Sequence, residues 1–227
     1  MDDAARLIKE GAPHLTLITA GEHTAARGRH GKTWTVFPQH AIAAVWILRD
    51  TPTQHLALVA SLAVIDAIHK ASPDLEPVIK WPNDIYVNGK KLCGILVETH
   101  GQNTSALGIG LNVTTPPDLR DFPGITLQQA SPSTPPGPKK VLEILNTCII
   151  RRVALYQAQG WSAVAPDYTA LCITLRQRVR LQRASDELVL PATVNALNPD
   201  GSLDVVTEDG KSHKVTNADK LFHDYLS

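Results

Sequence analysis

Four short segments carry residues whose types and spacing suit work on an anionic substrate. The first is Ala26-Arg27-Gly28-Arg29-His30-Gly31-Lys32, with Trp34 behind it. Guanidinium groups offer forked donors to phosphate or carboxylate oxygens, and glycines let backbone N–H groups approach the same anion. The second is Lys80-Trp81-Pro82-Asn83-Asp84, a turn between two apolar runs. The third, Lys90 to Glu98, places the ammonium of Lys91 at the head of a run that is otherwise nearly all apolar, with Gly94 inside it. A glycine within a strand marks a bulge or a close approach to the backbone. The fourth is Gly108-Ile109-Gly110-Leu111-Asn112-Val113. Its GxG lacks a third glycine, and Pro116-Pro117 stands where a dinucleotide fold requires a helix, so that reading fails.

Taken singly, each segment also has a plain structural reading. The arginine–glycine stretch resembles a solvated loop or a nucleic-acid-contacting tract. Asn83 and Asp84 suit a turn that satisfies its own backbone, Asn112 suits a residue that ends a strand, and Trp81 suits the core. Lys91 suits a solubilising charge at a hairpin edge. Strict alternation puts Lys91, Cys93 and Ile95 on one strand face, and Leu92, Gly94 and Leu96 on the other.

The elements that must position these segments follow from periodicity. Residues 3–10 read as a short helix, 15–20 as a strand and 41–48 as a buried strand. Thr51 as N-cap, Pro52 at the first helical position and Gln54 as the capping-box partner start a helix that runs through Ile65, with Pro73 beyond its end. Residues 78–80 and 85–87 read as strands, Asn88-Gly89 as a hairpin turn, and 91–99 and 106–113 as further strands. A Pro/Ser/Thr-rich loop fills 114–138, and a helix runs over 139–159. After that, short β runs at 179–182, 188–197, 203–207 and 212–216 are separated by turns such as Asp200-Gly201 and Asp209-Gly210. The pattern is that of an α+β domain followed by a small barrel.

Composition removes several function classes. With 227 residues and 43% hydrophobic content, the chain can fold as one large domain, or as a large one plus a small one. Lys and Arg together number 22, matched by 22 Asp and Glu, so no global pull toward nucleic acid or an anionic membrane is expected, and 5% aromatic content argues the same way. No apolar run is long enough for a membrane span, and the start MDDAARLIKE is too charged for a signal peptide. Cys93, Cys148 and Cys172 lack metal-type spacing, and the histidines form no HExxH, so no metal site is expected and the thiols read as reduced and cytoplasmic.

In this order and at these spacings, the four segments together resemble the catalytic domain of biotin–protein ligases (holocarboxylase synthetases), with KWPND and KLCGILVE as the most specific part. The resemblance covers about residues 2–182, with a looser fit for a C-terminal β domain over 183–227. It implies an α+β fold, a mixed sheet with helices related to lipoate ligases, plus a small SH3-like β-barrel. It also implies biotin and ATP as substrates, with Mg²⁺, and a biotin carboxyl carrier domain of a carboxylase as partner. Arg27, Gly28 and Arg29 resemble the loop that orders over biotin and its adenylate. Lys91 resembles the lysine at the biotin carboxylate and the reacting phosphate, and Gly94 the backbone site facing the biotin rings. Trp34, Asn83 and Asn112 resemble positions near ATP. His23 stands where the family usually has a biotin-contacting glutamine, and Ala26 replaces the first glycine of the loop. Met1-Asp2-Asp3-Ala4-Ala5 resembles the stretch just after the family's Ser-Thr segment, so a first strand and two hydroxyls are expected to be missing. No helix-turn-helix precedes the domain, so operator binding is not expected. A lipoate- or octanoyl-type ligase of the same fold and a catalytically weak biotin-binding paralogue are the alternatives.

If the loop closes over an adenylate, Arg29→Gly loosens a lid and releases a reactive anhydride. The variant is expected to label an unrelated lysine-rich protein with biotin more strongly than the parent does, as read on a blot after incubation with biotin and ATP. Equal bystander labelling with adenylation intact counts against the lid.

Overall fold

A computed structural model describes residues 1–19, 39–115, 124–182, 188–216 and 221–222. In chain order the first part comprises α1 (Asp2–Lys9), β1 (Thr16–Thr19), β2 (Ala41–Leu48), α2 (Leu56–Ala71), β3 (Val78–Lys80), β4 (Asp84–Val87), β5 (Lys90–Thr99), β6 (Ser105–Asn112), α3 (Leu127–Ala130), α4 (Pro138–Gln159) and α5 (Ala165–Leu171). Its strands form one sheet in the order β1-β2-β6-β5-β4-β3. Every neighbouring pair in it is antiparallel. Its parallel element is a single bridge between Ile79 and Cys172.

The two faces of this sheet differ because the strands alternate. Ala44, Trp46 and Leu48 of β2, Leu107, Ile109 and Leu111 of β6, and Cys93 and Ile95 of β5 are buried. α2 and α4 cover this face, and the Trp46 indole Nε1 donates to Asn146 Oδ1 on α4 (2.8 Å). Eleven of the sixteen residues of α2 are buried, so it lies inside the molecule and not on its surface. On the opposite face, α1 packs Ala4 against Ile47 and Ala106. Arg49, just past β2, holds the end of α1 by donating to the carbonyls of Ala12 (2.6 Å) and Ile8 (2.9 Å).

The expected start of the second helix is corrected. α2 begins at Leu56, with His55 at its N-cap and no side-chain cap. The Thr51 hydroxyl is spent elsewhere: it donates to the Arg49 carbonyl (2.9 Å) and accepts from Gln157 Nε2 (2.8 Å). Within the expected 114–138 loop, α3 is a single turn with the capping box at Thr126 and Gln129.

The chain then forms β7 (Arg178–Gln182), β8 (Val189–Leu197), β9 (Leu203–Thr207), β10 (Ser212–Val215) and β11 (Leu221–Phe222). They make a second antiparallel sheet, ordered β10-β9-β8-β7-β11, which takes in residues 178–182 ahead of the division drawn at 183. A short β11 returning to pair with β7 is consistent with an SH3-like arrangement. Val179, Leu181, Val194, Leu203 and Val205 of this sheet belong to the same contiguous core as α2 and the first sheet. No helix among the described residues is long and apolar enough to cross a membrane.

One ion network joins three helices behind the sheet. Asp66 on α2 accepts from Arg152 Nε (2.7 Å) and Nη2 (3.0 Å) and from Arg151 (2.7 Å), while Arg152 Nη1 also reaches Asp167 on α5 (2.7 Å). Burial pushes the Asp66 carboxyl up, but hydrogen bonds from Arg152 and Arg151 outweigh it and hold it below the usual range. A depressed carboxyl contributes stability above its unfolded value, near pH 4, that is lost as pH falls through the lower folded value. Asp66→Ala leaves the nearly buried guanidinium of Arg152 with only the exposed Asp167 as partner and is expected to cost about 2 kcal/mol. Urea unfolding checks this, and the gap to the parent should narrow as the pH is taken well below about 4.

Candidate functional site

Cross-strand register turns scattered small residues into a surface. Gly94 of β5 pairs with Gly110 of β6, and Gly110 pairs with Ala43 of β2. The next row is Leu96, Gly108 and Val45. All six are half-buried and lie on the face opposite α2 and α4. In the first row, three adjacent strands carry no side chain larger than a methyl. With strands about 4.8 Å apart, the described strands thus present a strip of small residues roughly 10 Å wide, of a size to take a flat ring system against backbone. α1 closes one end of it: Met1 Sδ lies 3.1 Å from where a Cβ on Gly108 would stand.

A bulge brings Lys91 to this strip. Ile85 pairs with Cys93 but Tyr86 pairs with Lys91, so Leu92 is the extra residue. Strict alternation is therefore corrected: Leu92 and Cys93 are both buried, and Lys91 joins the face of Gly94, not that of Cys93 and Ile95. Of the bulge or close backbone approach expected at Gly94, the bulge lies two residues earlier, at Leu92. Lys91 Nζ lies 2.7 Å from Asp84 Oδ1, with the side chains 31% and 22% exposed, so the ammonium is not the freely solvated edge charge of the plain reading. Asp84 pairs directly with Gly94, which puts the carboxylate, the ammonium and the bare strip together. Burial raises the Cys93 thiol far above its ordinary value, which suits an inert core residue under the site.

Asn83 and Asn112 flank this corner. Asn83 Nδ2 donates to the Ile95 carbonyl (2.5 Å), and the Ile95 N–H returns a bond to the Asn83 carbonyl (3.0 Å), clipping the turn onto β5. Asn112 Nδ2 donates to the Ile125 carbonyl (3.3 Å), while the Ile125 N–H donates to the Lys91 carbonyl (3.0 Å). The backbone of Ile125 thus links Lys91 and Asn112, and each asparagine commits a donor to the protein itself. Trp81 is core, at 3% exposure.

Lys91, Gly94, Asn83 and Asn112 are thereby brought to one region. His23, Arg27, Gly28, Arg29 and Trp34 lie outside the described residues. The chain leaves β1 at Thr19, opposite Ala44, and re-enters at Ala41, opposite Asn112, at the end of the sheet where the first row lies. Sequence reading missed Asp84 as the partner of Lys91, and missed Ala43, Gly108 and Gly110 as floor. The signal for the glycines was present, since two glycines two residues apart in a strand share a face.

The sequence profile of the Biotin/lipoate A/B protein ligase family matches residues 5–113. The biotin--[acetyl-CoA-carboxylase] ligase of Mycobacterium tuberculosis is 34% identical over 76% of this chain and 66% of its own length. The bifunctional ligase/repressor BirA of Bacillus spizizenii is 30% identical over 95% of this chain and 69% of its own. The chain belongs to the biotin protein ligase family. It spans about two thirds of the length of these two relatives. The fold agrees: the Aquifex aeolicus biotin protein ligase in complex with biotin and ATP superposes with a TM-score of 0.78 at 22% identity, covering 95% of this chain and 91% of that one.

For a member of the biotin protein ligase family, the bare strip has a direct test. Gly110→Val stands an isopropyl group between Ala43 and Gly94 without touching the packed face. It is expected to weaken biotin binding by about a hundredfold or more in calorimetric titration, a loss of roughly 3 kcal/mol, while shifting the melting temperature by only a few degrees. Unchanged affinity would move the ring site off this strip.

Proposed function

We propose that this chain activates biotin with ATP to biotinoyl-5′-AMP and then transfers the biotinyl group to a lysine of a carrier domain of a carboxylase. The observation that carries this reading is the juxtaposition of the Gly94–Gly110–Ala43 strip with the Lys91–Asp84 pair. A fused-ring ligand lying on the strip would bring a carboxylate at the end of its side chain to a positive charge at the strip's edge. The relatives named for biotin ligation, and the position of the arginine–glycine segment between β1 and β2, support the same reading.

In the first step, a biotin carboxylate oxygen bonds to the α-phosphorus of ATP and the bond to pyrophosphate breaks. The carboxylate is itself the nucleophile, so the residues need only position the reactants and offset charge. Lys91 would bind both the carboxylate and the reacting phosphate. Asp84 holds the ammonium at a fixed place and orientation beside the strip. Such a preorganised charge costs little reorganisation at the moment of reaction. Arg27 and Arg29 would hold the adenylate, and Asn83, Asn112 and Trp34 the nucleotide side. Among the described residues no group of three His, Cys, Asp or Glu could hold a metal ion, so Mg²⁺ would arrive bound to the triphosphate. In the second step, the carrier lysine amine attacks the carbonyl carbon of the mixed anhydride, AMP leaves with the bonding pair, and the amine gives up a proton.

Biotin-dependent exchange of pyrophosphate into ATP tests the reading, with lipoate as the competing substrate. Lys91→Ala is expected to lower the exchange rate by about 10²–10³ while the far-UV spectrum and melting temperature stay near those of the parent. Wild-type-like exchange in this variant removes Lys91 from the chemistry. Exchange driven by lipoate and not by biotin would overturn the substrate assignment.

A further inference from the structure

The turn that carries Asn83 and Asp84 is gripped from outside the site, by the C-terminal half of the chain. The Trp81 backbone N–H donates to Thr174 Oγ1 (3.0 Å), and its indole Nε1–H donates to the Gly201 carbonyl (2.9 Å). The Tyr168 hydroxyl reaches the Pro82 carbonyl (3.4 Å). Thr174 is fully buried and lies in the segment that runs from the Ile79–Cys172 bridge into β7. Gly201 lies in the β8–β9 turn of the second sheet. Trp81 is thus tied twice to the C-terminal half, while Asn83 and Asp84 are tied to β5 through Ile95 and Lys91.

The β8–β9 turn is itself held against the start of α2. His55 Nε2 lies 2.9 Å from the Pro199 carbonyl, and Gln54 Nε2 donates to the Asp200 carbonyl (3.3 Å). Gly201 has φ +82°, and a Cβ there would meet Leu58 Cδ1 at 2.9 Å and His55 Cδ2 at 3.2 Å. The His55 ring stacks on Trp161, with centroids 4.7 Å apart and planes within 4°, and its Nδ1 lies 3.3 Å from the Tyr156 hydroxyl. A carbonyl only accepts, so Nε2 carries the proton and Nδ1 accepts from Tyr156. Burial keeps this imidazole below its ordinary pKa and favours that neutral form.

We propose that the Asn198–Ser202 turn of the second sheet is a positioning element for the adenylation site, acting through Trp81, with His55 and Gln54 as the residues that hold the turn in register. Which reaction it serves rests on the ligase reading above. None of these residues needs to touch the reacting atoms. Purely apolar packing would tolerate sliding of one sheet over the other, whereas directional bonds to Trp81, Pro199 and Asp200 do not. A small shift of the 81–84 turn moves Asp84, and with it the ammonium of Lys91. Such a misplacement is costly in a site that works by positioning.

Three variants test this: His55→Ala, His55→Gln (which keeps an N–H donor for Pro199) and Trp81→Phe. The first readout is hydrogen exchange of the Ile95 amide, whose bond to the Asn83 carbonyl reports the turn directly. The second is the KM for ATP and for biotin in pyrophosphate exchange, measured well below the melting temperature of each variant. His55→Ala and Trp81→Phe are expected to speed Ile95 exchange by about tenfold and raise the KM for ATP, and through Lys91 that for biotin, several-fold, with melting temperatures within a few degrees of the parent's. His55→Gln keeps both near the parent's values, and combining His55→Ala with Trp81→Phe is no worse than Trp81→Phe alone. If His55→Ala fails to fold, Gln54→Ala is the milder probe of the same contact. The proposal is overturned if Ile95 exchange is unchanged in the variants, or if the KM values rise only in step with a falling melting temperature. If the parent shows no biotin-dependent exchange, the ligase reading falls, and the Ile95 amide alone decides for or against the positioning turn.

Discussion

Everything in the first sheet depends on its two faces being packed differently: α2 and α4 cover one, while on the other α1 packs on Ile47 and Ala106 and leaves the Gly94–Gly110–Ala43 row with small residues alone. Ile109 and Leu111 on β6, and Cys93 and Ile95 on β5, are buried against helices, while Gly108, Gly110 and Gly94 stand between them on the other side. Period-two alternation makes the two demands compatible along a single strand. The face packed on α2 and α4 holds the strands firmly enough that the Gly94–Gly110–Ala43 row on the other face can forgo large side chains. Glycine weakens a strand interior, and α2, buried on most of its circumference, supplies the compensating apolar contact.

The bulge at Leu92 is the device by which one strand serves both faces at different heights. Without it, Lys91 would share the side of Cys93 and Ile95, and its ammonium would point into the helices, where an unpaired charge is costly. With it, two consecutive residues, Leu92 and Cys93, are buried, and the lysine lies on the same side as Asp84. A half-buried pair of this kind adds little to stability, because desolvation offsets much of its attraction. Its value is directional, since a flexible four-carbon stem would otherwise sample many orientations. The Asn83–Ile95 clip and the Ile125 strap fix the two backbone segments that carry the pair.

Much of this was legible in the sequence, and the failures have physical causes. The β2, β3 and β9 spans were read at their observed bounds because continuous apolar runs and turn signals flank them. The Asn88-Gly89 turn was legible because both residues take positive φ, which that dipeptide supports. The α2 start was not, because Thr51 has a capping residue's chemistry but tertiary partners in Arg49 and Gln157 that local sequence does not reveal. The Lys91 face was not, because one extra residue inverts every later side chain and nothing local marks Leu92 as that residue. The grouping of Gly94 with Gly110 and Ala43 depends on register between strands far apart in the chain, which only the folded sheet establishes.

The bare strip also dictates where recognition must come from. The backbone groups of Gly94 and Gly110 lie in ladders between two neighbouring strands each, so the floor has its polar groups already engaged. A ligand lying on it gains contact area and shape but finds few free donors or acceptors there. Those must be supplied at the rim, by strand ends and by the connections between strands, which are free to carry unpaired polar groups. The described motif residues are distributed in that way: Lys91 at the head of β5, Asn83 in the turn before β4 and Asn112 at the last position of β6. A floor of small residues and a rim of polar side chains are therefore compatible in one sheet, and the Ile125 strap holds the Lys91 end of the rim from outside the floor.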